Sequence, residues 1–462
     1  MAEPRKPIII TDPIHQIMES GSDPRTRASL KGVIDTESFQ RLRRIMQLGL
    51  TSFVFPGATH TRFSHSLGAA FLARRVLMHL DEQAVGAERQ EIEEYRLLIT
   101  LAALLHDVGH GPFSHSFENV LKGFPQIVGA PDHEEWTISL IRGAGSDINE
   151  ALRSVDIDTE LLAALFTKKG NLSLPLFLKQ IVSSQLDVDR MDYLARDSHF
   201  AGVEVGKIDL WYLIHSLTVV PHGNGQLRTL GLSTKGVKPY EAFVIARQLM
   251  NRTIYFHPKV KALEFTMEYF LRLVLENEER LASIDVLRYS IPAYLRMVAT
   301  AIRDRSFKKD EFLERARDAY RDLTEDSVWH LIRSMARELP RDDSATTRLK
   351  ELALGLLRRK SFEYLAVDAP RQVLFKEALV RAGFVEGVDF AAVQLKTTAY
   401  KEGENEVFVL SAAGAQPVSD HSFIISTMQD RAESESLMML LDPSRGQEFH
   451  AAAASTGAIS PL

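Results

Sequence analysis

No cysteine occurs in this chain of 462 residues. That absence excludes disulfides, thiolate nucleophiles and cysteine-held metal centres, so a metal here would rest on imidazole and carboxylate. It also fits a cytoplasmic protein. Apolar runs of the about 20 residues that a membrane helix needs are missing. The opening Met1-Ala2-Glu3-Pro4-Arg5-Lys6-Pro7 lacks the apolar stretch of a signal peptide. A basic excess is missing too: 55 Lys and Arg face 61 Asp and Glu, a net charge of −6. Neither nucleic acid nor a membrane is therefore an expected partner, and only a local basic patch could take a small polyanion. What is present is an ordinary globular composition, 45% hydrophobic and 25% charged, in a chain long enough for more than one domain.

The most informative segment is Leu104-Leu105-His106-Asp107-Val108-Gly109-His110-Gly111-Pro112-Phe113-Ser114-His115. An apolar run delivers His106 and Asp107 side by side, and two more histidines follow around a Gly-Pro break. Adjacent imidazole and carboxylate form a borderline-hard ligand set that suits Mn²⁺, Fe²⁺, Zn²⁺ or Mg²⁺. A His-Asp pair alone is usually a surface or capping pair. Two further groups of the right chemistry change the odds: His65, in Thr61-Arg62-Phe63-Ser64-His65-Ser66-Leu67-Gly68, and Asp189, in Leu186-Asp187-Val188-Asp189-Arg190-Met191-Asp192-Tyr193. His65, His106, Asp107 and Asp189 would fill four positions and leave room for water, as catalytic metal sites do.

Apolar residues at three- and four-residue spacing predict helices over 36–48, 64–80, 91–105, 134–142, 179–196 and 238–254. Residues 213–220 and 227–232, joined through Gly223-Asn224-Gly225, predict a small β-hairpin. Helices continue to about residue 358. From Phe362 the texture turns α+β, with strands over 362–367 and 407–411 and a helix over 371–382 between them. The expected fold is mainly α. A helical core spans 1–280, a helical extension 281–360 and an α+β appendage 361–450, before an Ala- and Ser-rich tail, 451–462, expected to be disordered.

Together with Phe55-Pro56-Gly57-Ala58-Thr59-His60 and the stretch to Asp197, these segments resemble the HD-domain deoxynucleoside triphosphate triphosphohydrolases, in order, over about residues 10–259. The resemblance implies an HD-fold core. It implies one divalent metal (Mn, Fe or Mg first, with Zn, Ni or Co as alternatives) on His65, His106, Asp107 and Asp189. It also implies hydrolysis at the α-phosphate, releasing a deoxynucleoside and intact triphosphate. His115 matches the family's proton donor, and His110 and His133 match its other active-site histidines. Glu118 stands where animal members have Asp, and Glu134 follows His133 as in the family.

Arg62, Arg190 (Lys in animal members), Arg247 and Tyr193 match contacts to the triphosphate. Gln47 and Asp197 match contacts to the 3′-hydroxyl, while Leu48 and Tyr255 match the wall that rejects a 2′-hydroxyl. His257 resembles a further site residue, although Pro258 is inserted before Lys259. Asp35, Gln40 and Arg43 match positions of a guanine-nucleotide activator site at a tetramer interface. Ile8 replaces the lysine expected there, so the resemblance implies a homo-oligomer, tetramer favoured, with altered nucleotide activation. Two rival readings stand beside this one: another HD phosphohydrolase, acting on monophosphates, cyclic nucleotides or nucleic-acid ends, and a non-catalytic nucleotide sensor.

Overall fold

The computed structural model describes residues 6–167, 174–222, 227–367, 369–386, 389–398, 400, 406–428, 432–441, 445–446, 448–449 and 451. The tail beyond 451 and the Gly223–Gly225 turn fall outside the described residues.

Two long helices, Arg62–Gln83 and Ala87–Leu105, form the centre. The second is buried on every side from Leu98 to Leu105, which explains why this segment is apolar at every position but Thr100 rather than amphipathic. It therefore delivers His106 at its end into the protein interior. A third helix, Val188–Ala201, crosses the first at Gly68. A side chain at Gly68 would place its Cβ 1.9 Å from Asp192 Oδ1 and 2.6 Å from Arg196 Nη2. Only glycine lets the two helices approach with a buried ion pair between them.

That ion pair extends into a network. Arg196 Nε and Nη2 donate to the two Asp192 oxygens at 2.8 and 2.9 Å. Arg196 Nη1 donates to Asp12 Oδ2 at 2.8 Å. Asp12 lies in an N-terminal hairpin, β1 (Ile9–Asp12) and β2 (Gln16–Glu19), that the helical expectation for this region missed. Its Oδ1 also accepts from the backbone of Ile14 and His15, closing the turn. The polar side chains that pin the hairpin carry no strand periodicity, which is why it did not show in the sequence.

Three other expectations need correction. Residues 36–48 form only a helical turn, Glu37–Gln40, then a 3₁₀ turn, Arg41–Arg44. Gln47 and Leu48 follow on a stretch that bridges Met46 to Thr61. The helix over 179–196 is two helices, Leu176–Val182 and Val188–Ala201. Asp187 breaks them: its side chain accepts from Arg190 N at 2.9 Å and caps the second. The first hairpin strand begins late, because Leu210–His215 is helical. β3 (Leu217–His222) then pairs antiparallel with β4 (Leu227–Ser233), Leu217 opposite Leu232.

The α+β character after 360 is present, but its strands belong to two sheets. β7 (Phe408–Ser411) pairs parallel with β4, and β8 (Gly414–Pro417) adds outside it. This extends the hairpin to a sheet ordered β3-β4-β7-β8. β5 (Glu363–Val367), β6 (Phe390–Thr398) and β9 (Ala432–Leu441) form a separate sheet ordered β5-β9-β6.

Two large apolar cores lie under these elements. One joins the central helices to the hairpin sheet. The other is built by the helix Pro258–Glu276 and those that follow it, and it takes in Leu50, Phe113, Phe117 and Trp136.

An exposed Gly→Ala change in a helix typically stabilises by about 0.4–1 kcal/mol. Gly68→Ala is expected to do the reverse, costing about 2 kcal/mol or more through overpacking against Asp192 and Arg196. Urea denaturation measures it, and a variant as stable as the parent would show that the helix crossing has slack.

Candidate active site

The end of the Ala87–Leu105 helix, the first turn of Arg62–Gln83 and the first turn of Val188–Ala201 meet at one point. Donor atoms of His65, His106 and Asp107 lie within 4.8 Å of one another. His65 Nε2 stands 3.1 Å from His106 Nε2 and 3.0 Å from Asp189 Oδ1. It is 3.6 Å from Asp107 Oδ2. His106 Nε2 lies 3.5 Å from an oxygen of each aspartate. Atoms that share one ion at about 2.0–2.2 Å are spaced this way.

The far ring nitrogens are committed elsewhere. His65 Nδ1 bonds Asp192 Oδ2 at 2.7 Å, and His106 Nδ1 bonds Ala103 O at 2.8 Å. Both rings therefore turn their Nε2 lone pairs inward, as second partners do in metal centres. Burial opposes charge on His65, but Asp189, Asp192 and Asp107 overcome it and lift the ring to about 10. Burial also opposes charge on Asp189, yet His106 and His65 hold it far below the usual carboxylate range. So dense a set of carboxylates calls for positive charge, and a divalent cation would displace the proton. The donor set fits such an ion.

Beside this tetrad lies a second group. His110 Nε2 sits 3.2 Å from Asp107 Oδ1. Its ring stacks on His133 at 3.9 Å. Burial and the Arg62 guanidinium push the His110 ring well below its usual range, so it stays neutral. Glu118 accepts from His133 Nδ1 at 2.7 Å and lies 3.8 Å from His115 Nδ1. Burial resists its ionisation, but these two histidines outweigh that and keep its carboxyl well below the usual range. The His115 side chain is 70% exposed. Gly109 permits the stack, since a Cβ there would meet His133 O at 2.1 Å.

A cavity of about 760 Å³ opens onto both groups. His106, Asp107, Asp189, His110, His115, His133 and Glu134 line it, as do Arg62, Arg190, Tyr193, Gln47, Leu48, Asp197 and Tyr255. His65 and Glu118 support it from beneath. Arg62 donates to Asp107 and, at 2.7 Å, to Ser114 Oγ. Arg190 is paired with Asp187. Asp197 is held between His60 Nε2 and Tyr255 OH, each at 2.7 Å. Gln47 Oε1 is buried and has no partner among the described residues. Tyr255 sits on a π turn, Asn251–Tyr255, that follows the helix Val237–Met250.

Besides His65 and Glu118, Arg247 and His257 lie outside the lining. Arg247 is near Tyr193 and Tyr240. His257 Nδ1 accepts from Lys259 N at 3.2 Å and caps the next helix, which Pro258 opens. Lys259 donates to Ser361 Oγ at 2.7 Å. Asp35, Gln40 and Arg43 do not line the cavity. Asp35 pairs with Lys31, Gln40 accepts from Arg43 Nε at 2.8 Å, and Arg43 covers Phe63.

Sequence reading missed Lys179, Lys261 and Asn119 in the lining, Ser114 against Arg62, and Asp192 and His15 behind His65. Asp192 had a usable signal, since it lies one helical turn after Asp189 on the same face. The others had none.

Residues 62–197 match the model of the HD domain. The uncharacterized Bacillus subtilis protein YwfO is 29% identical over 412 residues, 86% of this chain and 82% of its own length. The deoxynucleoside triphosphate triphosphohydrolase SAMHD1 homolog of Dictyostelium discoideum is 34% identical over 264 residues, 56% of this chain and 47% of that protein. Its human counterpart is 35% identical over 218 residues, 42% of this chain and 34% of that protein. The chain thus spans less than half the length of these dNTPase relatives. Among solved structures, a phosphohydrolase from Bacteroides thetaiotaomicron shares the fold, with a TM-score of 0.70 over 95% of this chain and 100% of that one, at 23% identity. Residues 62–197 of this chain thus form an HD domain, and in sequence the chain is similar to dNTPase-like proteins that carry one.

Proposed function

We propose that this HD-domain protein is a metal-dependent dNTP triphosphohydrolase, converting a dNTP to a deoxynucleoside and inorganic triphosphate. The observation that carries the reading is the join, in one cavity, of the His-Asp tetrad with an unsatisfied buried acceptor. Among the described residues Gln47 Oε1 lacks a donor, and Asp197 and Tyr255 line the same cavity. A buried acceptor without a partner is costly unless a ligand supplies the donor. A sugar hydroxyl is such a donor, and simple phosphatases have no use for one. This favours the reading over other HD phosphohydrolases, and the intact tetrad favours it over a mere sensor.

A divalent ion on His65, His106, Asp107 and Asp189, with Mn, Fe or Mg the best suited, would polarise a phosphoryl oxygen and ease deprotonation of water. The chain's own groups do the rest. Arg62, Arg190 and Lys179 supply charge for the triphosphate from the wall, and Arg247 adds its charge from behind Tyr193. Tyr193 adds a hydroxyl to the same wall. His115, exposed to the cavity and oriented by Glu118, carries a proton to the leaving 5′-oxygen. Neutral His110, stacked on His133, fixes the wall beside it. Leu48 and the Tyr255 ring leave a 2′-hydroxyl crowded and unbonded.

No helix among the described residues is long and apolar enough to cross a membrane, and a cytoplasmic homo-oligomer is part of the same proposal. So is nucleotide control through Asp35, Gln40 and Arg43.

His106→Ala and Asp107→Ala should each bind less than about a tenth of the parent's metal and lose about a thousandfold or more in turnover. Elemental analysis and chromatography read both, and full activity at normal metal content would remove the metal assignment. Wild-type products should be deoxynucleoside and triphosphate. Primary release of pyrophosphate or of single phosphate, seen by phosphorus NMR, would place cleavage at another bond. Tyr255→Ala should narrow the preference for dNTP over NTP by about tenfold or more, measured as a ratio of kcat/KM values. Equal turnover of both sugars by the parent would contradict the sugar wall.

A further inference from the structure

We propose that Glu325, on the second helical lobe, is a positioning residue that holds two active-site segments in register through a single carboxylate oxygen. The inference rests on the reading that the cavity performs a reaction on a nucleotide.

Glu325 opens the helix Glu325–Glu338. Its Oε1 accepts from Met46 N at 3.0 Å and from Phe113 N at 3.3 Å. Met46 directly precedes Gln47 and Leu48, while Phe113 precedes Ser114 and His115. One oxygen thus joins the segment assigned to the sugar with the segment assigned to proton transfer.

The ordinary explanation for an acid at a helix start is capping, and here it does not apply. Thr324 and Ser327 form a reciprocal box that serves the helix's own end. The Glu325 side chain instead runs away from its helix and is 5% exposed. A buried carboxyl whose hydrogen bonds go to two distant amides is an expensive way to fill space. Burial pushes its carboxyl up to about 7, against the pull of the two amides and Arg62.

The segment it holds is strained. Phe113 and Ser114 have φ of 59° and 52°, two successive non-glycine residues in the left-handed region. Such backbone persists only where the surroundings over-determine it. Arg62 grips Ser114 from one side, as described above. Glu325 grips Phe113 N from the other, and Trp329, one turn further along the same helix, packs edge-on against the Phe113 ring at 5.9 Å. Just before that helix, Tyr320 donates to Gly109 O at 2.7 Å, between Asp107 and His110. The lobe therefore touches the catalytic loop at both ends.

The test compares the parent with E325A and E325Q, in the full chain loaded with Mn²⁺. The amide of Gln is a near-isostere of a neutral carboxyl and can still accept both bonds through Oε1. E325A should lose tenfold or more in kcat/KM for a dNTP, well below its melting temperature and with the parent's metal content. Exchange of the Met46 and Phe113 amides, read by NMR or mass spectrometry, should quicken tenfold or more. E325Q should stay within threefold of the parent in both. If E325A does not fold, E325D, which is too short to reach both amides, should show the same losses. Parent-like kinetics or parent-like amide exchange in E325A or E325D would overturn the proposal. So would a folded E325Q as impaired as E325A. If the parent turns over no dNTP, the functional reading fails, and the exchange rates alone decide whether Glu325 holds the loops.

Discussion

The whole site hangs on the buried pair Asp192–Arg196. Burial opposes the charge on Asp192, but Arg196, His15 and His65 outweigh it and hold the carboxyl well below its usual range. It stays ionised in an interior that would otherwise neutralise it. That charge orients His65 and so aims one proposed metal ligand. The same arginine reaches Asp12 and draws the N-terminal hairpin onto the catalytic helices. Replacing a buried ion pair by apolar groups often costs little in stability. Here such a replacement would leave His65 without the partner that sets its tautomer, so function and not stability explains why charge is kept.

The cavity is assembled from segments whose side chains are each held by a second, deeper partner. Asp192 stands behind His65, Ala103 O behind His106, Glu118 behind His133 and His60 behind Asp197. Asp192, Ala103 and Glu118 sit on helices, where backbone freedom is small, and His60 lies just before one. Preorganisation of this kind removes the cost of ordering the groups when a ligand arrives. It also explains the shape of the pocket: a rigid ionic floor under walls that differ in charge.

Most of the catalytic half was legible because its signals are local. The apolar run into His106-Asp107 marks a helix end, and His65 and Asp189 sit in first turns whose periodicity is plain. Illegible features were those decided by distant partners. The 36–48 segment reads as a helix, yet Met46 N bonds a carboxylate 279 residues away, and the chain there bends to meet it. The 179–196 helix breaks at Asp187, where a capping side chain overrides a continuous apolar pattern. Strands 363–367 and 408–411 look alike in sequence and part company only because one finds β9 and the other β4. Asp12 and His15 carry no pattern at all, since their buried partners, Arg196 for the one and Asp192 for the other, lie far along the chain.

The parallel pairing of β4 with β7 has a consequence for how the molecule is made. β3 and β4 lie in the catalytic half, but the strand that covers their edge is supplied by residues 408–411. An uncovered β edge offers free amides and carbonyls to other chains. During synthesis the half that holds the proposed metal site therefore emerges with that edge bare and waits for most of the chain to follow. Non-local closure of this sort slows folding and lengthens exposure to self-association. A ribosome-bound fragment ending before residue 400 would carry every proposed metal ligand and still present a sticky margin along β4.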